Sequence, residues 1–245
     1  MKELKNRSIL SFSDAHSPAK MGREATVFDL RDPSYENIKK AITRSDNINK
    51  IVYTIEFYPE EGKYHFSGHR NCGVVFGPDE IRNNGNMCPV CKRRLTEGVL
   101  YRVQQLGNLS GVVEGKMSPH GIKWYTDKTK NHPPYVKLVP LLEIIAQGLE
   151  SGVSSQKVKA NFADLCVAFG SEIEVLLKAP IEKIKSAAGF KVAEGVKKVR
   201  EGNIVIDPGF DGEYGKVKIW DHESQKSKGM GQNLENTQEA QMGLF

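Results

Sequence analysis

Apolar and polar positions first alternate at Ser8-Ile9-Leu10-Ser11-Phe12, which predicts a short strand running into the polar turn Ser13-Asp14-Ala15-His16-Ser17-Pro18. Pro33 stands just before a helix predicted over 34–43. Residues 51–58 (Ile-Val-Tyr-Thr-Ile-Glu-Phe-Tyr) alternate and are β-branched and aromatic, the signature of a second strand. Periodicity then disappears. Residues 59–98 are rich in Gly, Asn, Pro, Cys and His, and so long an irregular stretch needs a function or a staple. Residues 116–134 are polar and hold Pro119, Pro133 and Pro134, which predicts a linker or exposed loop.

From Val139 the period becomes helical. Leu141, Leu142, Ile144, Ile145 and Leu149 share one face, and Gly152 ends it. Ser154 and Ser155 are caps for a second helix through Val158, Phe162, Leu165 and Phe169. Further helices follow over 172–177, 181–188 and 192–200. The runs 203–206 and 216–220 pattern as a β-hairpin, and the polar tail after Asp221 is expected to be disordered. No internal repeat is present. The elements mix strands and helices, α/β and α+β in character.

Composition narrows this only modestly. With 245 residues, 39% hydrophobic and 27% charged, the chain can form one large domain or two to three small ones. The sequence holds no apolar run long enough to span a membrane. Residues 1–7 are not followed by a signal-peptide core, so a cytoplasmic location is expected. A net charge of +5 permits a polyanionic partner without demanding one.

The cysteines change the picture. Cys72, Cys88 and Cys91 fall close together, and Cys166 lies apart on an apolar helix face as a core residue. His69-x2-Cys72, fifteen residues, then Cys88-x2-Cys91 gives two short knuckles at a spacing that suits tetrahedral zinc. Pro89 sits inside the second knuckle; Gly68, Gly73 and Gly85 surround the pair. His65 is close enough in sequence to replace His69 as fourth ligand. A redox Cys-x-x-Cys would open a helix after a strand, a context missing here. Four protein ligands close such a site, which makes it structural.

Asp14 and His16 lie two apart just past the first predicted strand, where barrel enzymes project metal ligands; on its own the pair is also compatible with an exposed loop. With its neighbours it says more. Ser13-Asp14-Ala15-His16-Ser17-Pro18 followed by Gly22-Arg23-Glu24-Ala25-Thr26 resembles the last metal-binding motif of PHP-type phosphoesterases. Residues 63–72 (Lys-Tyr-His-Phe-Ser-Gly-His-Arg-Asn-Cys) and Cys88-Pro89-Val90-Cys91 are similar to the zinc module of the endonuclease Q family. Residues 139–146 and 209–217 (Gly-Phe-Asp-Gly-Glu-Tyr-Gly-Lys-Val) resemble its C-terminal region, so the likeness covers nearly the whole chain in family order.

The resemblance implies a DNA-repair endonuclease that nicks the backbone 5′ of a deaminated base or abasic site, with Asp14 and His16 among the divalent-metal ligands of a PHP barrel. It also implies that most of that TIM-like barrel is absent. The barrel begins with a His-x-His strand, and His16, His120, His132 and His222 include no such pair. A separately encoded N-terminal half is an expected partner. Relatives are sometimes labelled UvrD-like helicases. Yet the stretch nearest to a P-loop, residues 110–117, lacks the first Gly and the hydroxyl that would hold magnesium, so no helicase activity is expected.

Residues 180–200 resemble a degenerate helix-hairpin-helix turning at Gly189, with Lys183, Lys185, Lys191, Lys197, Lys198 and Arg200 as candidate DNA-backbone contacts; a solvated basic face is the simpler alternative. The terminal Gln241-Met242-Gly243-Leu244-Phe245 matches the Gln-x-x-Leu-Phe peptide that binds bacterial sliding clamps, through Gln241, Leu244 and Phe245. The expected division is a barrel remnant at 1–48, a zinc module at 49–115, a linker at 116–134, a helical DNA-binding region with a hairpin at 135–220, and a tail at 221–245. An alternative function is a non-catalytic, clamp-recruited DNA-binding module.

Overall fold

Strand β1 (Ala25–Asp29) runs antiparallel to β2 (Lys50–Glu56), with helix α1 (Tyr35–Thr43) between them in sequence. The computed structural model from which this follows describes residues 7–107, 113–129 and 131–221. Ser34 caps α1 by accepting the Asn37 N–H, and the chain leaves the helix through Arg44 in the left-handed region. Residues 8–12, expected as a strand, are not one. Both backbone polar groups of Ser11 bond the Thr26 hydroxyl instead of a neighbouring backbone. The burial is inverted as well: Ser11 is buried while Ile9 and Phe12 are exposed.

A compact insertion follows β2. It holds β3 (Ser67–His69) and β4 (Val74–Phe76) as an antiparallel pair, then α2 (Pro78–Asn84) and α3 (Val99–Leu106). Residues 116–134, expected as a linker or exposed loop, instead lie within sheet structure. Strand β5 (Val113–Met117) pairs with β6 (Lys123–Asp127), and β6 pairs with β7 (Tyr135–Lys137). Strand β7 closes back on β2 in parallel, giving the sheet order β1-β2-β7-β6-β5. Polar and proline content misled here because this hairpin is half-exposed and buries little of its own surface.

Helices α4 (Leu141–Gly148), α5 (Gln156–Phe169), α6 (Glu172–Leu177), α7 (Ile181–Ala188) and α8 (Phe190–Glu201) follow, then the hairpin β8 (Val205–Asp207) and β9 (Lys216–Lys218). Ser155 caps α5 as its sequence position predicts, and Ser171 caps α6 by accepting the Glu174 N–H. One core joins sheet to helices: Ile55, Ile122 and Val136 meet Leu141, Ile144, Val158, Leu165, Val175, Ile184, Val196 and Ile219. Trp220 closes it. A Cβ on Gly195 would stand 2.8 Å from Ile144 and 2.9 Å from Trp220, so α8 reaches both only through a glycine. The fold is thus mixed α/β. Among the described residues no helix is long and apolar enough to cross a membrane.

Candidate metal centre and nucleic-acid interface

The insertion brings four soft donors to one point. Strand β3 ends at His69, a single 3-10 turn over Arg70–Cys72 follows, and Gly73 at φ 63° turns the chain into β4. This tight return places His69 and Cys72 side by side. The second knuckle is folded by its backbone: Lys92 N–H donates to Cys88 O at 2.9 Å and Cys88 N–H to Arg93 O at 2.8 Å, with Lys92 in the left-handed region. Cys88 is fully buried in a small core with Val74, Ile81 and Leu95.

Zn–S bonds of about 2.3 Å and Zn–N bonds of about 2.0 Å in a tetrahedron set the ligand atoms roughly 3.5–3.8 Å apart. The donor atoms of His69, Cys72, Cys88 and Cys91 all lie within 4.8 Å of one another. Cys91 Sγ stands 3.3 Å from His69 Nδ1. The donor set and spacing fit a metal ion such as zinc. Electrostatics agree. Burial pushes the Cys88 thiol up, but the backbone N–H groups of Cys91 and Val90 and the His69 side chain outweigh it and pull the thiol down to about 6. Burial and the neighbouring Cys91 and Cys88 thiols push Cys72 up to about 11. A cluster of thiols cannot ionise together without a cation to share, and a bound metal reverses that penalty.

His65 does not join this cluster. It is buried, stacks on Phe66 with ring centroids 5.2 Å apart, and its pKa is lowered chiefly by burial. Asp14 and His16 are exposed. The His16 Nδ1 lies 2.9 Å from the Asp14 carbonyl oxygen, and Asp14 itself takes φ 46°. Among the described residues no further His, Cys, Asp or Glu gathers with them into a group of three.

Helices α7 and α8 turn at Gly189, whose φ of 89° suits glycine. Lys183, Lys185, Lys191 and Lys197 are exposed on this helical hairpin and Lys198 is half-buried. Lys185, Lys191 and Lys197 pair with Glu182, Glu194 and Glu201 along their own helices. Arg200, expected among the DNA contacts, is a core residue. Its guanidinium donates to the carbonyls of Leu176 at 2.8 Å, Val175 at 2.9 Å and Ala179 at 2.7 Å, satisfying the end of α6. Gly115 and Lys116, the nearest approach to a P-loop, lie within β5 opposite Tyr125 and Trp124. Gln241, Leu244 and Phe245 lie outside the described residues, as does His222.

Residues 209–215 belong to the segment 209–217, which stands out in the sequence by its family resemblance. In the structure they bind the insertion: Phe66 N–H donates to Gly209 O at 2.9 Å and Gly212 N–H to Lys63 O at 3.0 Å. Three glycines and an Asp between two strands were the available signal.

Comparison with known proteins places these features. Residues 140–203, covering α4 to α8, match the family described as the MJ0043 C-terminal domain. The MJ0043 protein of Methanocaldococcus jannaschii is 34% identical over 224 residues, 89% of this chain and 26% of that protein. The YqxK protein of Bacillus subtilis is 28% identical over 212 residues, 86% of this chain and 46% of that protein. Among solved structures, the lesion-specific endonuclease Q of Pyrococcus furiosus superposes with a TM-score of 0.73 at 32% identity, covering 93% of this chain and 54% of that one. Endonuclease Q in complex with a 27-mer duplex carrying an abasic lesion at the active site gives 0.69 at 32% identity, covering 90% and 52%. The chain therefore spans about half the length of the solved proteins it resembles, and less of the curated ones.

Proposed function

We propose that this chain works in DNA repair as part of an endonuclease of the endonuclease Q type, one that nicks DNA 5′ of deaminated bases or abasic sites. The observation that carries the reading is the structural likeness to a lesion-specific endonuclease over 93% of the chain at 32% identity. The His69, Cys72, Cys88 and Cys91 cluster supports a structural zinc, which braces the insertion. The exposed lysines of α7 and α8 would grip the phosphate backbone without reading sequence. Asp14 and His16 would be two ligands of the barrel's divalent metals, whose chemistry there is to activate water and steady charge on the phosphate. What these two residues do is hold oxygen and nitrogen donors in an exposed turn, where further ligands can join them.

Two exposed ligands do not make a hydrolytic centre. We therefore expect no incision of uracil-containing duplex by the chain alone, and incision once a PHP barrel is supplied in trans or fused ahead of Asp14. Robust lesion-specific cleavage by the chain alone would overturn this assignment of roles. The isolation of Asp14 and His16 also favours a second reading, a non-catalytic DNA-binding module recruited by a sliding clamp through Gln241, Leu244 and Phe245. A peptide of the last residues should bind a bacterial clamp, and Leu244→Ala with Phe245→Ala should abolish that binding. Equal binding by both peptides removes the clamp from either reading.

A further inference from the structure

Residues 209–215 form a fixed shelf along residues 60–66. The Gly209 N–H donates to Glu60 O at 2.8 Å and the Gly215 N–H to Glu61 O at 3.0 Å. Packing is tight: a Cβ on Gly209 would stand 2.3 Å from Gly62 O, and one on Gly215 2.0 Å from Glu60 O. Beside this shelf two aromatic rings stand in solvent, Tyr214 at 69% and Tyr64 at 50% exposure. Lys63 Nζ lies 4.4 Å from the Tyr214 ring centroid. At Gly212 the Arg70 guanidinium and the Tyr64 hydroxyl approach within 3.4 Å and 3.8 Å of where a Cβ would be. Lys63, Arg70 and Lys216 are exposed; of the acids on the same segments, Glu213 is exposed, exposed Asp207 pairs with Lys218, and half-buried Glu60 and Glu61 pair with Lys137 and Arg23. Asp211 is engaged by the Arg70 N–H and Thr96.

Exposed rings on a backbone that cannot yield, ringed by excess positive charge, suit a polyanion that carries flat apolar rings of its own. We propose that Tyr64 and Tyr214 form a stacking site for unpaired nucleobases, with Lys63 and Arg70 taking the adjoining phosphates. The proposal rests on the DNA-binding reading above and assigns to it a ligand state, a strand whose bases have left the helix. Aromatic stacking is tolerant of base identity because every base has a π-face, so the site would sense unpairing rather than sequence. Lys63 over the Tyr214 ring supplies a cation–π contact that holds the ring in place while one face stays free.

The test uses the full chain and two fluorescent oligonucleotide ligands, a fully paired duplex and the same duplex with a central run of unpaired bases. The variants are Tyr64→Ala/Tyr214→Ala and Tyr64→Phe/Tyr214→Phe. The alanine pair should weaken binding to the unpaired ligand by roughly tenfold or more and leave the paired duplex unchanged. The phenylalanine pair should keep both affinities, which separates ring stacking from the hydroxyls and from misfolding. Equal loss on both ligands, or no loss on either while wild type binds, overturns the stacking site and leaves the DNA-binding reading standing. A surface made for a protein partner would give the second of those results. Failure of the wild-type chain to bind either ligand overturns both.

Discussion

The Asp211 carboxylate accepts the backbone N–H of Arg70 at 2.8 Å, tying the loop before β9 to the residue that follows His69 of the His/Cys cluster. The same carboxylate takes the Thr96 hydroxyl. The Thr96 hydrogen bond holds its pKa below the ordinary carboxylate value against some desolvation, with the Arg70 N–H adding to it. This side chain therefore adds a lock between the inserted module and the C-terminal hairpin to the backbone bonds of residues 209–215. Hydrogen bonds to a charged group are worth about 1.5–3 kcal/mol, nearer the lower end when half-exposed. Asp211→Ala should release zinc to a chelator about tenfold faster, while Asp211→Asn, which keeps an acceptor, should lose less. Unchanged release rates in a chromogenic-chelator assay would mean the lock is idle.

Purified chain should carry one zinc, measured by elemental mass spectrometry. Stripping it, or Cys88→Ser, should unfold the insertion, because binding energy is folding energy at such sites. The helical core should remain folded, since its buried residues form a separate cluster from Val74, Ile81, Cys88 and Leu95. Amide exchange resolved by segment would show protection lost over 67–106 alone; loss throughout the chain would contradict two separate cores.

Arg200 and its lysine neighbours should part company. Removing Lys183 and Lys185 should leave stability alone and lower the salt slope of DNA binding by about one for each phosphate that is no longer neutralised. Arg200→Met should do the reverse. It leaves three carbonyls of residues 175–179 without donors, costing about 3 kcal/mol or more. In a chain of this length that lowers Tm by about 6–12 °C. Arg200→Lys should rescue poorly, since one ammonium cannot reproduce a planar fork.

Glu172 gives a pH signature. Its side chain accepts the Leu141 N–H at 2.7 Å, and burial, with Glu143 adding to it, raises its pKa. A carboxyl raised in the folded state contributes stability fully present below its unfolded value near 4.5, and lost as pH rises through the folded value. Glu172→Gln keeps an acceptor for Leu141 and carries no charge. The variant should therefore melt higher than wild type at about pH 7.5 and converge with it near pH 4.5. A gap that widens on acidification would reverse the assignment.

How much of this was legible varies with the physics of each part. The ends of α1, α5 and α6 stand in the sequence because Ser34, Ser155 and Ser171 carry the capping chemistry themselves. Three of the four metal-cluster donors are cysteines at knuckle spacing, and only geometry separates His69 from His65. Strands β1, β5 and β6 hold no fully buried position, so no alternation marks them, and β7 is only three residues long around buried Val136. Arg200 was misassigned by charge, although its phase gives it away: it lies four residues past buried Val196 and eight past Val192. The tether at Asp211 shows in sequence only as an Asp among three glycines, and its partners Arg70 and Thr96 are brought to it only by the fold.

The parallel pairing of β2 with β7 sets Glu56 beside Lys137 with the whole metal-cluster insertion strung between them. The central sheet can close only after that long excursion returns to its starting edge. Loop-closure entropy grows with the length of free chain, and non-local pairings made across long loops form slowly. An ion that knits the excursion into a compact knot shortens the effective loop before the sheet forms. A metal held there would become a timer for the assembly of strands it never touches, and a newly made chain without it would dwell longer with the edges of β2 and β7 unpaired.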